Sequence, residues 1–303
     1  MIEGLFFIPI GPNDAQRAAW TVESIRRHCD EYRIHLLVDG ADPSSLPTRL
    51  AGSDIHIHVQ SPPTKGNWAK IWLMQCLAMS EALNDPTVSP RAIFVKIDAD
   101  ALVLRAGLVK RAQAIIATRP EAGQIGQCFS NICGGSLPNF GWANFMRKMT
   151  GWRGLWRFLV AAIKYGEGWR AGLTAFFEFR ALMMQAKDNG YRQGEFAVGG
   201  SYILRREVVA ALETNGLLRR SPFRFLPVLG EDIIMTPCVY AVGFAAIDDV
   251  SDGGLFAIEG KEFRVDPFVL KARGHYIIHP TKYGHLAHGH TLDEAELVSA
   301  LER

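Results

Sequence analysis

No run of 18 or more apolar residues occurs in this chain of 303 residues, so the sequence offers no helix for crossing a bilayer. No basic cluster precedes the apolar stretch near the amino terminus, and Leu5 to Ile10 is too short for the core of a signal peptide. Cysteine is sparse and unpatterned. Cys29, Cys76, Cys128, Cys133 and Cys238 form an odd set with no Cys-x-x-Cys pair, which argues against a disulfide framework and against a structural zinc site. Reduced thiols are expected, with a bacterial-type cytoplasmic address, soluble or peripheral on the inner membrane face. An excess of one charge is missing as well. With 33 Lys and Arg against 31 Asp and Glu the net charge is +2, which carries no general polyanion signal, and no nucleic-acid partner is expected. Internal repeats and low-complexity tracts are also absent.

What is present is an ordinary globular balance, 48% hydrophobic and 21% charged, enough for one large α/β domain or two small ones. Leu5 to Ile10 reads as a buried strand, Gly11 to Asp14 as a turn with Asn13 or Asp14 as N-cap, and a helix follows to about Cys29. Ile34 to Val38 is a second strand, ending in Asp39-Gly40, and Asp54 to Val59 a third. A loop from Ser61 to Trp68, containing Lys65, leads to a helix from Ala69 to Leu83 that turns Ile71, Met74, Gln75 and Ala78 inward. Ala92 to Ile97, after the breakers Pro86 and Pro90, is a buried strand; Leu108 to Thr118 is a helix and Gly123 to Phe129 a strand. This alternation predicts a doubly wound, mostly parallel sheet flanked by helices.

Residues 137–190 break the alternation and read as a helical, aromatic and basic insertion. From Trp142 to Arg192 there are nine Lys or Arg against three Asp or Glu, a segment of about +6. Trp152, Leu155, Trp156, Leu159, Val160 and Ile163 fall on one helical face, with Arg153, Arg157 and Lys164 flanking it. Such a face either packs on the protein's own core or lies on anionic lipid, so 142–192 is a possible peripheral membrane contact. Regular structure resumes with a strand from Glu195 to Leu204. Gly199 and Gly200 inside it mark either close approach of another group, such as an acceptor sugar, or a β-bulge. A helix from Arg206 to Thr214 follows. Ile233 to Val242 is a helix interrupted by Pro237, Phe244 to Ile247 and Gly274 to His279 are edge strands, and Thr291 to Glu294 is a capping box before a last helix.

The stretch that carries chemistry is Phe94-Val95-Lys96-Ile97-Asp98-Ala99-Asp100, an apolar strand ending in two carboxylates. Residues two apart in an extended chain point the same way, so both carboxylates can face one hard cation or polyphosphate at the carboxyl edge of the sheet. This run resembles the metal-binding Asp-x-Asp of GT-A glycosyltransferases, and Lys96-x-Asp98-x-Asp100 looks most like the form in Fringe-like and β-1,3-galactosyltransferase-like members. The order of features adds to the likeness: a strand, turn and helix at the start, Asp39 at the end of the second strand, a Gly-Gly-x-Tyr strand, Gly230-Glu231-Asp232 and a late His. Two features depart from it. Position 99 is Ala, so there is no three-Asp run, and the insertion has no counterpart.

The resemblance implies an inverting, metal-dependent transfer of a sugar from a nucleoside-diphosphate sugar, UDP-sugar foremost, to a saccharide or lipid-linked acceptor. It implies Mn²⁺ or Mg²⁺ on Asp98, Asp100 and His279. Pro9, Asp39, Lys65, Lys96, Asp98 and Lys282 would bind the donor, and Gly199 and Gly200 would adjoin the acceptor. Asp232 is the expected general base with Glu231 as its neighbour, although an acidic pair at a helix start also reads as plain N-capping. His279, at a strand end, competes for the metal with His285, His288 and His290. A single domain over 1–303 is expected: a nucleotide-sugar half at 1–130, the insertion at 137–190, and an acceptor half with the metal and diphosphate loop at 195–303. The rival readings are a sugar-phosphate nucleotidylyltransferase, whose Gly-rich loop Gly11 to Arg17 lacks, a non-catalytic nucleotide-sugar or carbohydrate-binding module, and a membrane adaptor.

Overall fold

The structure, a computed structural model, describes residues 1–40, 46–61, 63–64, 68–130, 140–219, 228–259, 265–282, 285–287 and 290–303. Strand β1 (Ile2–Ile10) sends Leu5 and Phe7 to one core and Phe6, Ile8 and Ile10 to another, as the two-residue period of an extended chain requires. Burial on both faces places it centrally in a sheet covered on both sides. Helix α1 (Ala15–His28) buries Ala18, Ala19, Val22 and Ile25 and ends in Arg26, Arg27 and His28, where cations suit the helix dipole. Asp14 is its N-cap residue, but the Asp14 carboxylate pairs with Arg17 at 3.0 Å instead of bonding a helix N–H.

Strands β2 (Tyr32–Asp39) and β3 (Ile55–Gln60), helix α2 (Trp68–Leu83) and strand β4 (Val88–Ile97) continue the alternation. Strand β4 starts earlier than expected and contains Pro90. Ile2 pairs with Val88 but Gly4 with Ile93, so the proline sits in a register irregularity, exposed, where its missing N–H breaks no ladder bond. Next come β5 (Leu102–Val103), α3 (Leu108–Thr118) and β6 (Ala122–Gly126). The last of these stops short of the expected Phe129 because the Asp248 carboxylate accepts the backbone N–H groups of Cys128 and Phe129 in place of a ladder.

The insertion consists of α4 (Phe140–Met149), α5 (Trp152–Lys164) and α6 (Gly168–Asp188). Of the two alternatives for the Trp152–Ile163 stripe, core packing is not what the helix shows: α5 turns Gly154, Phe158 and Ala162 inward, with Phe158 packed on Phe176 and Phe179 at ring separations of 6.3 and 5.7 Å. The stripe from Trp152 to Ile163 is left outside or half-buried.

Strand β7 (Ser201–Arg205) begins after the two glycines, not before them, and leads into α7 (Arg206–Thr214). Helix α8 (Glu231–Ala241) runs through Pro237 without interruption, because everything from Ile233 to Ala241 is buried and packing holds a residue that an isolated helix would reject. Then come β8 (Ala245–Asp248), β9 (Phe256–Ile258), α9 (Pro267–Ala272), β10 (Ile277–His279), β11 (His285–Ala287), β12 (His290–Leu292) and α10 (Glu294–Glu302). The capping box is Asp293 with Glu296, two residues on from the expected Thr291.

The main sheet has the order β3-β2-β1-β4-β7-β6-β8, parallel except for β7, which runs antiparallel to both neighbours. The architecture is thus the expected α/β one, a mostly parallel sheet flanked by helices. Strand β10, expected at an edge, is the middle strand of a small sheet β5-β10-β9, and that position brings His279 to the carboxyl end of β4. None of the described helices is long and apolar enough to cross a membrane.

Candidate active site

The chain leaves the sheet at Ile97, and backbone bonds hold the turn from Asp98 to Ala101. Asp98 N–H donates to Gly200 O at 2.7 Å, Ala101 N–H to Asp98 O at 3.1 Å, and Thr281 N–H to Asp100 O at 2.8 Å. The Thr21 hydroxyl lies 2.8 and 2.7 Å from the carbonyls of Ala99 and Ala101. This turn buries Ala99 in the core shared with α1 and turns Asp98, half-buried, and Asp100, buried, towards His279. A third carboxylate at position 99 would be buried among apolar side chains, which accounts for the alanine.

Asp98, Asp100 and His279 each offer a ligand atom within 4.8 Å of the others. The His279 Nε2 atom is 3.1 Å from Asp100 Oδ1 and 3.6 Å from Asp98 Oδ2, while its Nδ1 faces the Glu259 carbonyl at 3.2 Å. A proton on Nδ1 directed to that carbonyl leaves the Nε2 lone pair for a cation, the arrangement that metal-binding histidines favour. Lys282 reaches Asp100 Oδ2 at 3.2 Å. Burial pushes the Asp100 carboxyl up, but a proton on His279 Nε2, which a cation would replace, donates to it, and with the charges of His279 and Lys282 this outweighs burial and holds the group down at about 2. Two carboxylates and an imidazole in this compass suit Mn²⁺ or Mg²⁺.

A cleft of about 430 Å³ is lined by Glu231 and Asp232 in the first turn of α8 and by Asp98 of the metal group, with Lys96 bridging Glu231 and Asp98. Pro9 lies on the cleft wall. Lys96 is buried, its Nζ 2.7 Å from Asp98 Oδ1 and 3.7 Å from Glu231 Oε2. Burial lowers its basicity, yet Asp98 and Glu231 raise it by more, so it stays a cation. Glu231 accepts a short hydrogen bond from the Tyr202 hydroxyl, which in turn accepts from Gln75 Nε2 at 2.9 Å. Asp232 differs: burial first, then the Glu231 charge, push its carboxyl up to about 6 against the pull of Lys96.

The two glycines serve these side chains. Gly200 has φ +119° and a Cβ there would stand 2.7 Å from the His279 ring, while a Cβ on Gly199 would stand 3.1 Å from Asp232 Oδ2. Neither lies in a strand, so the β-bulge reading is set aside; the groups in close approach are His279 and Asp232. Asp39, at the end of β2, is not among the residues that line the cleft. Its carboxylate accepts the Thr64 N–H at 2.7 Å and the Thr64 hydroxyl, bracing the loop after β3. Lys65 and His288 fall outside the described residues, and His285 and His290 belong to the β11–β12 ribbon.

Sequence reasoning missed Gln75 and Tyr202 as supports of Glu231. The signal for Gln75 was a polar residue on an otherwise apolar inward face, which in a buried site must find a partner.

No protein-family model matches the chain, and no curated protein matches it in sequence. Among solved structures, the WbbM bifunctional glycosyltransferase in its apo form superposes over 99% of this chain and 50% of its own, with a TM-score of 0.50 and 11% identity. The chain thus shares the fold of that glycosyltransferase. S. aureus TarS is a looser likeness, covering 82% of this chain and 35% of its own at a TM-score of 0.43 and 11% identity. This chain spans half the length of WbbM and about a third of TarS. Within this fold, the carboxyl ends of β1 and β4, the Gly199–Gly200 turn and the start of α8 meet at one edge of the main sheet. That edge is where open α/β sheets bind ligands.

Proposed function

We propose that this chain transfers a glycosyl group from a nucleoside-diphosphate sugar, in the first instance a UDP-sugar, to an acceptor hydroxyl on a saccharide or a lipid-linked saccharide. The observation that carries the reading is the pairing of two acidic groups of opposite character around one cleft. Asp100, grouped with Asp98 of the cleft wall, is held ionised beside His279 and Lys282, while Asp232, on the cleft wall, is pushed up by burial. Environments that separate two carboxyls in this way assign them different tasks.

Asp98, Asp100 and His279 would hold Mn²⁺ or Mg²⁺, which would supply Lewis-acid charge to the leaving diphosphate. Lys282, beside Asp100, adds a protein cation on the same side. The bond between the anomeric carbon and the diphosphate oxygen breaks, its electron pair leaving with the nucleoside diphosphate. The acceptor oxygen bonds to that carbon from the opposite face, and Asp232 takes the acceptor proton. A carboxyl near 6 is mostly ionised at neutral pH yet basic enough to accept a proton in the transition state. Glu231, fixed by Tyr202 and Lys96, is positioned to orient the acceptor.

The test is incubation with nucleotide sugars, measuring release of nucleoside diphosphate and the anomeric configuration of the product. A binding module would take up the donor without releasing the diphosphate. Retained configuration would remove Asp232 from the role of base.

A further inference from the structure

Helix α5 leaves its apolar stripe uncovered: Trp152 is 84% exposed, Trp156 68% and Ile163 65%. Trp169, Phe177 and Met184 of α6 are also exposed, and Phe177 shares an open hollow with Trp152 and Arg180. The polar positions of α5 are Arg153, Arg157 and Lys164, with no acid between Trp152 and Lys164, and none of the three is ion-paired to a described carboxylate. Lys148, Arg153 and Arg157 line one hollow between α4 and α5, of about 320 Å³. A further hollow is lined by Trp156, Val160, Lys164 and Val228, and Val228 also lines the cleft that contains Asp98 and Asp232. The exposed stripe is therefore continuous with the mouth of the candidate active site.

We propose that the α5–α6 face docks on an anionic lipid bilayer, so that the cleft opens beside the bilayer surface at Val228. Tryptophan and flanking cations are the pairing that the headgroup zone of an anionic membrane selects. Charge disfavours the other simple occupant: a second copy would bring together two faces that each carry Arg153, Arg157 and Lys164 with no acid on α5. The Arg157 guanidinium lies over the Phe145 ring at 5.3 Å with Nη1 3.9 Å from Met149 Sδ, and no described carboxylate pairs with it, which suits a cation that meets lipid phosphate. In combination with the transfer reading, on which this last step alone rests, docking selects the lipid-linked of the two acceptor classes.

The experiment is flotation of the full chain with vesicles of phosphatidylcholine alone and of phosphatidylcholine mixed with phosphatidylglycerol, at low and high salt. Each cation at such a surface is worth about five-fold in partitioning, so three together give roughly a hundred-fold. The parent should float with the anionic vesicles and fall away as salt is raised. The triple variant Arg153→Gln, Arg157→Gln, Lys164→Gln should lose roughly a hundred-fold, and Trp152→Ser with Trp156→Ser should lose flotation at either salt. Both variants should keep the parent's thermal shift with nucleoside diphosphate and Mn²⁺. A parent that never floats with anionic vesicles overturns the proposal, as does flotation that neither variant weakens. So does a dimer of the parent that the tryptophan variant splits while leaving flotation unchanged, since a second copy would then cover the face. Flotation is measured without sugar transfer, so absence of transfer counts against the enzymatic reading and leaves the docking result standing.

Discussion

Asp232→Asn is expected to slow the chemistry and strengthen the fold at once. The Asp232 carboxyl is pushed from an ordinary 3.8 up to about 6, by burial first and then by the Glu231 charge, with Lys96 and a backbone N–H opposing. The folded chain therefore holds this proton more tightly than the unfolded chain does. Below about pH 4 both states are protonated and the site costs nothing; between about pH 4 and 6 the unfolded carboxyl ionises first and stability falls; above about pH 6 the loss is complete. A displacement of that size corresponds to roughly 3 kcal/mol. Asparagine keeps the shape and has no charge to desolvate. It forfeits the favourable charge at a helix start, worth about 0.3–1 kcal/mol, so a net gain of about 2 kcal/mol is expected at pH 8. Urea unfolding of parent and variant from pH 4 to 8 should show curves that coincide at the acid end and diverge through pH 5 to 6. Transfer should fall by about two to four orders of magnitude over the same preparations. A variant no more stable than the parent at pH 8, or a difference that does not grow with pH, would refute the reasoning about the buried carboxyl.

Asp100→Asn should abolish the Mn²⁺-dependent thermal shift with nucleoside diphosphates while the fold persists; an undiminished shift would move the metal elsewhere. Gly200→Ala, at φ +119° and with its new Cβ 2.7 Å from the His279 ring, should cost about 1–3 kcal/mol and weaken Mn²⁺ binding. Unchanged melting and metal affinity would show that His279 does not depend on the glycine. Tyr202→Phe leaves Glu231 without its hydroxyl donor and the Gln75 amide without its acceptor, costing about 1–3 kcal/mol. Steady-state kinetics should then show kcat falling with the donor KM little changed, and a pure KM effect would argue that Glu231 holds donor instead of acceptor.

Local physics made part of this protein legible in its sequence. The two-residue period of Leu5 to Ile10 and the short apolar runs after it are enough for strands buried on both faces, and the helical spacings after Asp14, from Ala69 and from Leu108 fix helices between them. That Asp98 and Asp100 meet one group was expected from the same period, but β4 ends at Ile97 and the pair sits in a turn tied to Gly200, Thr21 and Thr281, so tertiary bonds set that relation. Boundaries failed where a partner from elsewhere intervened: Asp248 ends β6 early, a register break admits Pro90 to β4, and burial carries α8 through Pro237. The direction of the α5 stripe was undecidable from spacing, since Trp152 and Trp156 on one face compete with Phe158 and Ala162 on the other. Phe176 and Phe179 of α6 decide it by packing on Phe158. Tertiary structure alone decided what the residues at the sheet edge face: His279 beside Gly200, Glu231 on Tyr202, Asp232 in surroundings that raise its carboxyl to about 6. A side chain's proton affinity and its partners depend on the field and the burial around it, and these are supplied by segments far away in the chain, which periodicity and composition do not encode.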